Sequence, residues 1–483
     1  MDIEFQYDPK RREVRIVSEF FDNIREHFSV KNKSAAFNLL NPYLPKRLYS
    51  ITPLGYCGLG LVGEIIKYIT ETRIPFKITF DEQFHNLIKS ISGTKKELRA
   101  LPAGPPLRSY QSAAVLQALN TGHGILVVAT GGGKTLIMAS LLNNIETMLG
   151  KVLIIVPDLG LVSQTYEAFI EYGIPEHILT VWTGKNDPDL TKNVIISNMG
   201  ILQSKCSNIK WFNQISILFV DECHKIRRGN KLNKLLDKIH THRRFGFTGT
   251  LSDEKEDVWN IMNQIGPVIY EKSTTELREL GGGEFISGAQ VVAVHIEYDR
   301  IPDYTSVSVL EQYRLEMDFI INHPFRNKAI KGIVDKLDNN ILVLVDRIEH
   351  GELLFESLKT LENKKVFFIQ GSVEVEDRKK VQQLMELEDN VVCVAISKIF
   401  STGISIKNIH YILFAAGGKS KIKTLQSIGR GLRVHENKEC LIIIDIVDGL
   451  IYGDKHYEQR KNFYAIERLS TTTKNIYEIE RSG

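Results

Sequence analysis

"LVVATGGGKTLIMAS", residues 126–140, sets an apolar run against three consecutive glycines and a lysine–threonine pair. The apolar run, rich in valine, reads as a strand covered on both faces, and the segment from Lys134 reads as a helix. Glycine permits unusual dihedrals and a close backbone approach, and a helix N-terminus offers unpaired N–H groups to an anion. Thr130, Gly131, Gly132, Gly133, Lys134 and Thr135 therefore form a candidate phosphate cradle. In such a loop the lysine reaches the β- and γ-phosphates of ATP and the hydroxyl coordinates Mg²⁺. The full pattern would carry glycine at position 128, where Val128 stands.

A second stretch, "FAAGGKSKIKTLQSIGRGLR" at 414–433, has similar lettering. Here the residues before the glycines, Leu413 to Ala416, still belong to a strand, leaving too little loop to encircle a phosphate. Lys419 and Ser420 read as a solvated turn. The same stretch spaces Gln426, Arg430 and Arg433 by four and three residues, so their side chains leave one helical face together. Such a set is costly to bury unless an anion meets it. The expectation is one nucleotide, cradled by the first loop and touched by these arginines.

A Mg²⁺ site needs a carboxylate at the end of a neighbouring strand, and "ILFVDECH" supplies Asp221 with Glu222 beside it. Asp221 suits the metal ion and Glu222 a general base that polarises the attacking water. "CLIIIDIVD" also ends in carboxylates, but without an adjacent glutamate; Asp445 and Asp448 read as structural or domain-contact residues.

Between 109 and about 270, and again after 325, short apolar runs alternate with helical segments, which implies two parallel sheets. "ELRALPAGPPLR" at 97–108 is a linker, "ELGGGEFISG" at 279–288 breaks the alternation, and the tail "HYEQRKNFYAIERL" is helical. The division expected is a small α+β domain over 1–100, a candidate DNA-binding domain, then sheet domains over 101–290 and 291–483.

Composition fits this reading. Of 483 residues, 43% are hydrophobic and 25% charged, as in a soluble globular protein, and no apolar run is long enough to span a bilayer. The start, "MDIEFQYDPKRREVR", lacks the apolar segment of a secretory signal, and five scattered cysteines favour a reducing, cytoplasmic setting over a zinc site or disulfide framework. A net charge of +3 does not by itself indicate nucleic acid; the clusters Lys225, Arg227, Arg228, Lys231, Lys234 and Lys419, Lys421, Lys423 read first as solvated faces.

Taken in order, "LRSYQ", "ATGGGKT", "VPDLGLVSQ", "DECH", "TGT", "FSTGIS" and "QSIGRGLR" resemble the motif series of superfamily 2 helicases over about 107–435. The second half resembles the phage UvsW-type recombination helicases, and "YCGLGLVGEIIKYI" is similar to their small leading domain. The resemblance implies α/β architecture with two tandem RecA-like domains, ATP-dependent translocation, and action on branched DNA through junction migration, fork regression and R-loop removal. It implies that Gln111 reads adenine, with Arg108 and Tyr110 supporting that pocket. Leu161, Gln164, Ser197 and Asn198 would face the DNA backbone, and Thr248, Gly249 and Thr250 would couple hydrolysis to domain motion. Ser401, Thr402 and Gly403 would sense nucleotide and strand together, and His224 would link the nucleotide site to the coupling segment. Cys223 stands where alanine is frequent, and Ser109 where proline is frequent.

The expected partners are branched, forked or single-stranded DNA and recombination or single-strand-binding proteins, with no membrane; a monomer suffices. Two other functions fit the motifs: an RNA helicase or restriction-system motor, and an ATP-gated clamp that binds nucleic acid without travelling.

Overall fold

Two seven-stranded sheets carry the chain's apolar strands, and every neighbouring pair in both is parallel. The computed structural model describes residues 2–478 apart from 33–34, 36–43, 146–149, 185–187, 206–209, 282–286, 306, 372, 374, 398–405, 417, 419–423, 425–426, 430, 433–434 and 436–437. By internal contacts the chain divides into two compact units, residues 1–128 with 133–272, and residues 129–132 with 273–483.

In the first sheet the strands run Val268–Lys272, Gly124–Val128, Arg244–Thr248, Ile215–Asp221, Lys151–Val156, Val194–Asn198, Leu179–Trp182. Because they are parallel, the loop after Val128, the carboxylates after Val220 and Thr248 all emerge at one edge; Asp221 stands beside Phe247, and Thr248 beside Val127. Carboxyl ends of strands are where open α/β sheets bind ligands. The strand Gly124–Val128 is buried throughout, which explains its unbroken apolar run.

The leading region forms a mixed four-stranded sheet in the order Tyr56–Cys57, Glu13–Val17, Asp2–Asp8, Lys77–Phe80. The first two pairings are antiparallel and the last parallel. Its buried Ile3, Phe5, Val14 and Ile16 join Ile65, Trp259 and Leu153 in one continuous core, so this region and the first sheet share their hydrophobic interior. The "CGLGL" run makes the joint possible: a Cβ on Gly60 would fall 2.2 Å from the Met262 carbonyl oxygen, so only glycine lets these backbones meet.

The second sheet runs Lys365–Ile369, Val391–Ile396, Ile341–Val345, Tyr411–Phe414, Cys440–Asp448, Gly288–Glu297, Ser470–Tyr477. Two of these strands are not apparent in the sequence. Gly288–Glu297 follows the glycine-rich break directly, far ahead of the other strands. Ser470–Tyr477 follows the tail helix Ile451–Ile466 and is exposed along almost its whole length, so its threonines carry no core signal. It is the sheet's edge, where polar residues are tolerated. Among the described residues no helix is long and apolar enough to cross a membrane.

Candidate nucleotide-binding site

The glycine loop is built by its backbone. Gly131 and Gly133 adopt φ of 87° and 80°, and the Gly132 N–H closes a turn onto the Ala129 carbonyl at 2.9 Å. Gly133 caps the helix Lys134–Asn144. A Cβ at Gly133 would sit 2.4 Å from Gln111 Nε2, which would have to shift, and the left-handed dihedral itself favours glycine there. The buried Gln111 accepts the Arg108 N–H on Oε1 at 2.9 Å, which turns its amide nitrogen toward the loop. Tyr110 is buried in the same first turn, and Arg108 is half-buried as its N-cap. Lys134 Nζ donates to the Val128 carbonyl at 3.3 Å, spanning its own loop. Thr130 and Thr135 are half-buried on either side of the glycines.

Asp221 ends the strand Ile215–Asp221, and its Oδ1 is buried without a hydrogen-bond partner. Burial, then the neighbouring Glu222 carboxylate, pushes its carboxyl up to about 7, against the pull of the Lys134 ammonium. An unpaired buried oxygen of this kind is costly in water's absence and suits a cation.

Glu222 holds a left-handed backbone, φ 50°, unusual for a side chain with Cβ. Its Oε2 lies 3.1 Å from His224 Nδ1, which lies 2.9 Å from Thr248 Oγ1. Thr248 donates its hydroxyl proton to the Thr250 carbonyl at 2.9 Å and accepts the Thr250 N–H at 3.3 Å. With that proton committed, His224 Nδ1 must be the donor toward Thr248 and Glu222. His224 and Thr248 are buried, and Gly249, between the threonines, is half-buried. The structure thus strings Glu222, His224, Thr248 and Thr250 into one hydrogen-bonded chain.

The second glycine stretch is held quite differently. The Ala415 carbonyl accepts from Arg326 at 2.5 Å and the Gly418 carbonyl from Arg460 at 2.9 Å. A phosphate cradle presents N–H groups, whereas here buried arginines engage the carbonyls. Asp445 binds Arg460 through two contacts of 2.9 Å and accepts the Tyr464 hydroxyl at 2.8 Å. Asp448 binds Arg326 at 2.7 and 3.1 Å and accepts the Tyr298 hydroxyl. Both carboxylates are spent inside their own unit.

Comparison with known proteins supplies the family. Residues 105–253 match the family model "Type III restriction enzyme, res subunit", and residues 326–435 match "Helicase conserved C-terminal domain". The "ATP-dependent DNA helicase uvsW" of Enterobacteria phage T4 is 30% identical over 93% of this chain and 91% of its own length. The chain is a superfamily 2 helicase of the UvsW family. A crystal structure of T4 UvsW, 26% identical, covers 99% of this helicase and 100% of that chain with a TM-score of 0.44. S. cerevisiae Dbp5 bound to RNA and ADP BeF3 shares the fold at 14% identity, covering 76% of this helicase and 89% of that chain, TM-score 0.53. The two parallel sheets are accordingly tandem RecA-like domains, and this helicase is an ATP-dependent enzyme.

The residues present fit a nucleotide with its cation: Gly131 and Gly133 hold left-handed dihedrals that favour glycine, and Asp221 offers a buried, unpaired oxygen. Other expected residues are placed less simply. Ser197 is fully buried and donates to the Trp182 carbonyl at 2.9 Å, so its hydroxyl is used inside the sheet and offers DNA no surface. Asn198 is also buried, its Oδ1 3.4 Å from the Ile201 N–H at the start of the next helix. Leu161 and Gln164 are half-buried on the helix Leu159–Glu171. Sequence reading passes over that helix's N-cap, Asp158, which accepts the Leu161 N–H at 3.1 Å while its Oδ2 is buried and unpaired; the aspartate before "LGLVSQ" is the available signal. Gln426, Arg430, Arg433, Ser401, Thr402 and Gly403, with Lys419 and Ser420, lie outside the described residues.

Proposed function

We propose that this helicase is a translocase that remodels branched DNA, migrating Holliday junctions, regressing forks and unwinding R-loops in recombination, repair and replication. Its setting would be the cytoplasm of the infected host cell, with recombination or single-strand-binding proteins as partners and a monomer as the working unit. The observation that carries the motor reading is the chain from Glu222 through His224 to Thr248 and Thr250, which ties a carboxylate at the hydrolysis site to the segment leaving the first sheet.

In this reading Gly131, Gly132, Gly133 and Lys134 hold the outer phosphates, Gln111 reads adenine, and Arg108 and Tyr110 support it. Thr135 and Asp221 hold Mg²⁺, which when bound neutralises charge on the phosphates. Glu222 takes the proton of the attacking water. Gln426, Arg430 and Arg433 complete the triphosphate pocket, with Gly403 beside it, and Leu161, Gln164, Asn198, Ser401 and Thr402 track the DNA. Residues 1–100 grip the branch point, and 101–290 and 291–483 form the motor.

The test mixes the pure protein with a synthetic four-way junction, ATP and Mg²⁺, beside single-stranded DNA and RNA. Junction resolution together with DNA-stimulated ATP turnover is expected. An intact junction alongside normal single-strand translocation would overturn branch remodelling, and stimulation by RNA alone would make it an RNA helicase.

A further inference from the structure

The turn joining strands Asp2–Asp8 and Glu13–Val17 is Pro9-Lys10-Arg11-Arg12. Sequence reading sees only a charged start; the fold makes it a rigid, cationic hairpin tip. Asp8 organises it: its Oδ1 accepts the N–H groups of Lys10 and Arg11 at 2.9 and 3.1 Å, and its carbonyl accepts the Arg12 N–H at 2.6 Å. Arg12 takes a left-handed backbone, φ 60°. All three basic side chains are exposed, and none forms an ion pair among the described residues.

Behind the tip lies a cleft of about 620 Å³ between the leading sheet and the first RecA-like domain, both within the first compact unit. Five lysines and arginines line it against two carboxylates, Glu13 and Asp237. Two of the five are already committed. Arg244 donates to the carbonyls of Leu236, Ile239, Thr241 and Gln264, and Arg228 donates to the Tyr49 carbonyl. Lys10, Arg11 and Arg12 remain, three cations at one mouth with no ion pair among the described residues; Asp8 and Glu13 feel the Arg11 charge, which leaves an excess of positive charge at the tip. An exposed excess of positive charge attracts an anion.

The aromatic residues choose between anions. Binding unpaired bases needs open ring faces for stacking. Each of the two tyrosines lining the cleft already carries a guanidinium on its ring, Arg11 over Tyr56 at 4.5 Å and Arg25 over Tyr49 at 3.7 Å. Phosphate contact without base stacking suits duplex.

We propose that the hairpin tip Lys10-Arg11-Arg12 and the cleft behind it bind the phosphodiester backbone of a duplex DNA arm. This rests on the DNA-remodelling reading and assigns the duplex grip to particular side chains. The experiment measures binding of a fluorescent duplex and of single-stranded DNA of equal length across 50–200 mM salt, for the wild type and for Lys10→Gln/Arg11→Gln/Arg12→Gly. Glycine suits the left-handed position, and an unchanged melting transition confirms folding. Each phosphate contact contributes about 0.9 to the salt slope, so the triple variant should lose about 2–3 from the duplex slope. Duplex affinity should fall about tenfold or more at 0.1 M salt, with a smaller change for single strands. The charge-keeping set Lys10→Arg/Arg11→Lys/Arg12→Lys should retain the slope. An unchanged duplex slope in the triple variant, or an equal loss for single strands, overturns the proposal. If that slope persists while the wild type resolves junctions, the grip alone is wrong; if it falls while no junction is resolved, the remodelling reading is what fails.

Discussion

Both RecA-like sheets end strands in carboxylates, and they treat them in opposite ways. In the second sheet Asp445 and Asp448 each meet an arginine through two hydrogen bonds and a tyrosine hydroxyl besides. In the first sheet Asp221 keeps one buried oxygen with no partner, and Glu222 is held on a strained backbone beside His224. A fully paired carboxylate stabilises its surroundings only if both partners stay, and it has no capacity left for a ligand. An unpaired one costs stability in the free protein and is satisfied when a cation arrives. The contrast separates a scaffold from a site without reference to sequence motifs.

That contrast predicts, first, that Glu222→Gln lowers kcat for ATP hydrolysis by about 10²–10⁴ while leaving ATP binding intact, since a general base is lost and no phosphate contact is. Phosphate release and equilibrium nucleotide binding measure the two; undiminished turnover would remove Glu222 as the base. The second sheet should answer differently. Arg326→Met strands the buried Asp448 carboxylate and should cost about 3–5 kcal/mol in denaturant unfolding of the second unit. Replacing both partners, Arg326→Met with Asp448→Leu, should recover part of that loss; equal costs would mean the ion pair is not what matters.

The smallest effect concerns pH. Asp221 has a folded pKa of about 7, above the roughly 4 of an unfolded aspartate. The folded state therefore holds the extra proton between those values, and its contribution to stability, full below about pH 4, is lost as pH rises through 7. Asp221→Asn should flatten that profile and leave the ligand-free protein about 1–2 kcal/mol more stable at pH 8, a figure kept low because the residue is partly exposed. Unfolding midpoints at pH 5 and 8 give the answer, and parallel profiles for both proteins would mean Asp221 is paired after all.

Much of the first site is legible in the chain. Three glycines before Lys134, and an acidic pair at the end of an apolar strand, announce themselves because backbone conformation and strand burial leave local patterns. The same locality explains the failures. Ser197, which the resemblance sets facing DNA, is buried, with its hydroxyl on the Trp182 carbonyl of the neighbouring strand. The strand Ser470–Tyr477 hides because an exposed edge needs no apolar alternation. Lys10, Arg11 and Arg12 read as an ordinary charged start until the hairpin brings them to the mouth of one cleft.

What the sequence alone determined is the apolar core strands of the two parallel sheets and the phosphate loop, since each follows from residues close together in the chain. Only the tertiary structure decided which carboxylates are free to work. Asp445 and Asp221 look alike along the chain, and the difference lies in Arg460, which a helix carries back onto the second sheet and for which the first sheet has no counterpart at Asp221 Oδ1. Pairing of buried charge depends on what arrives from distant sequence, and short-range pattern does not contain it.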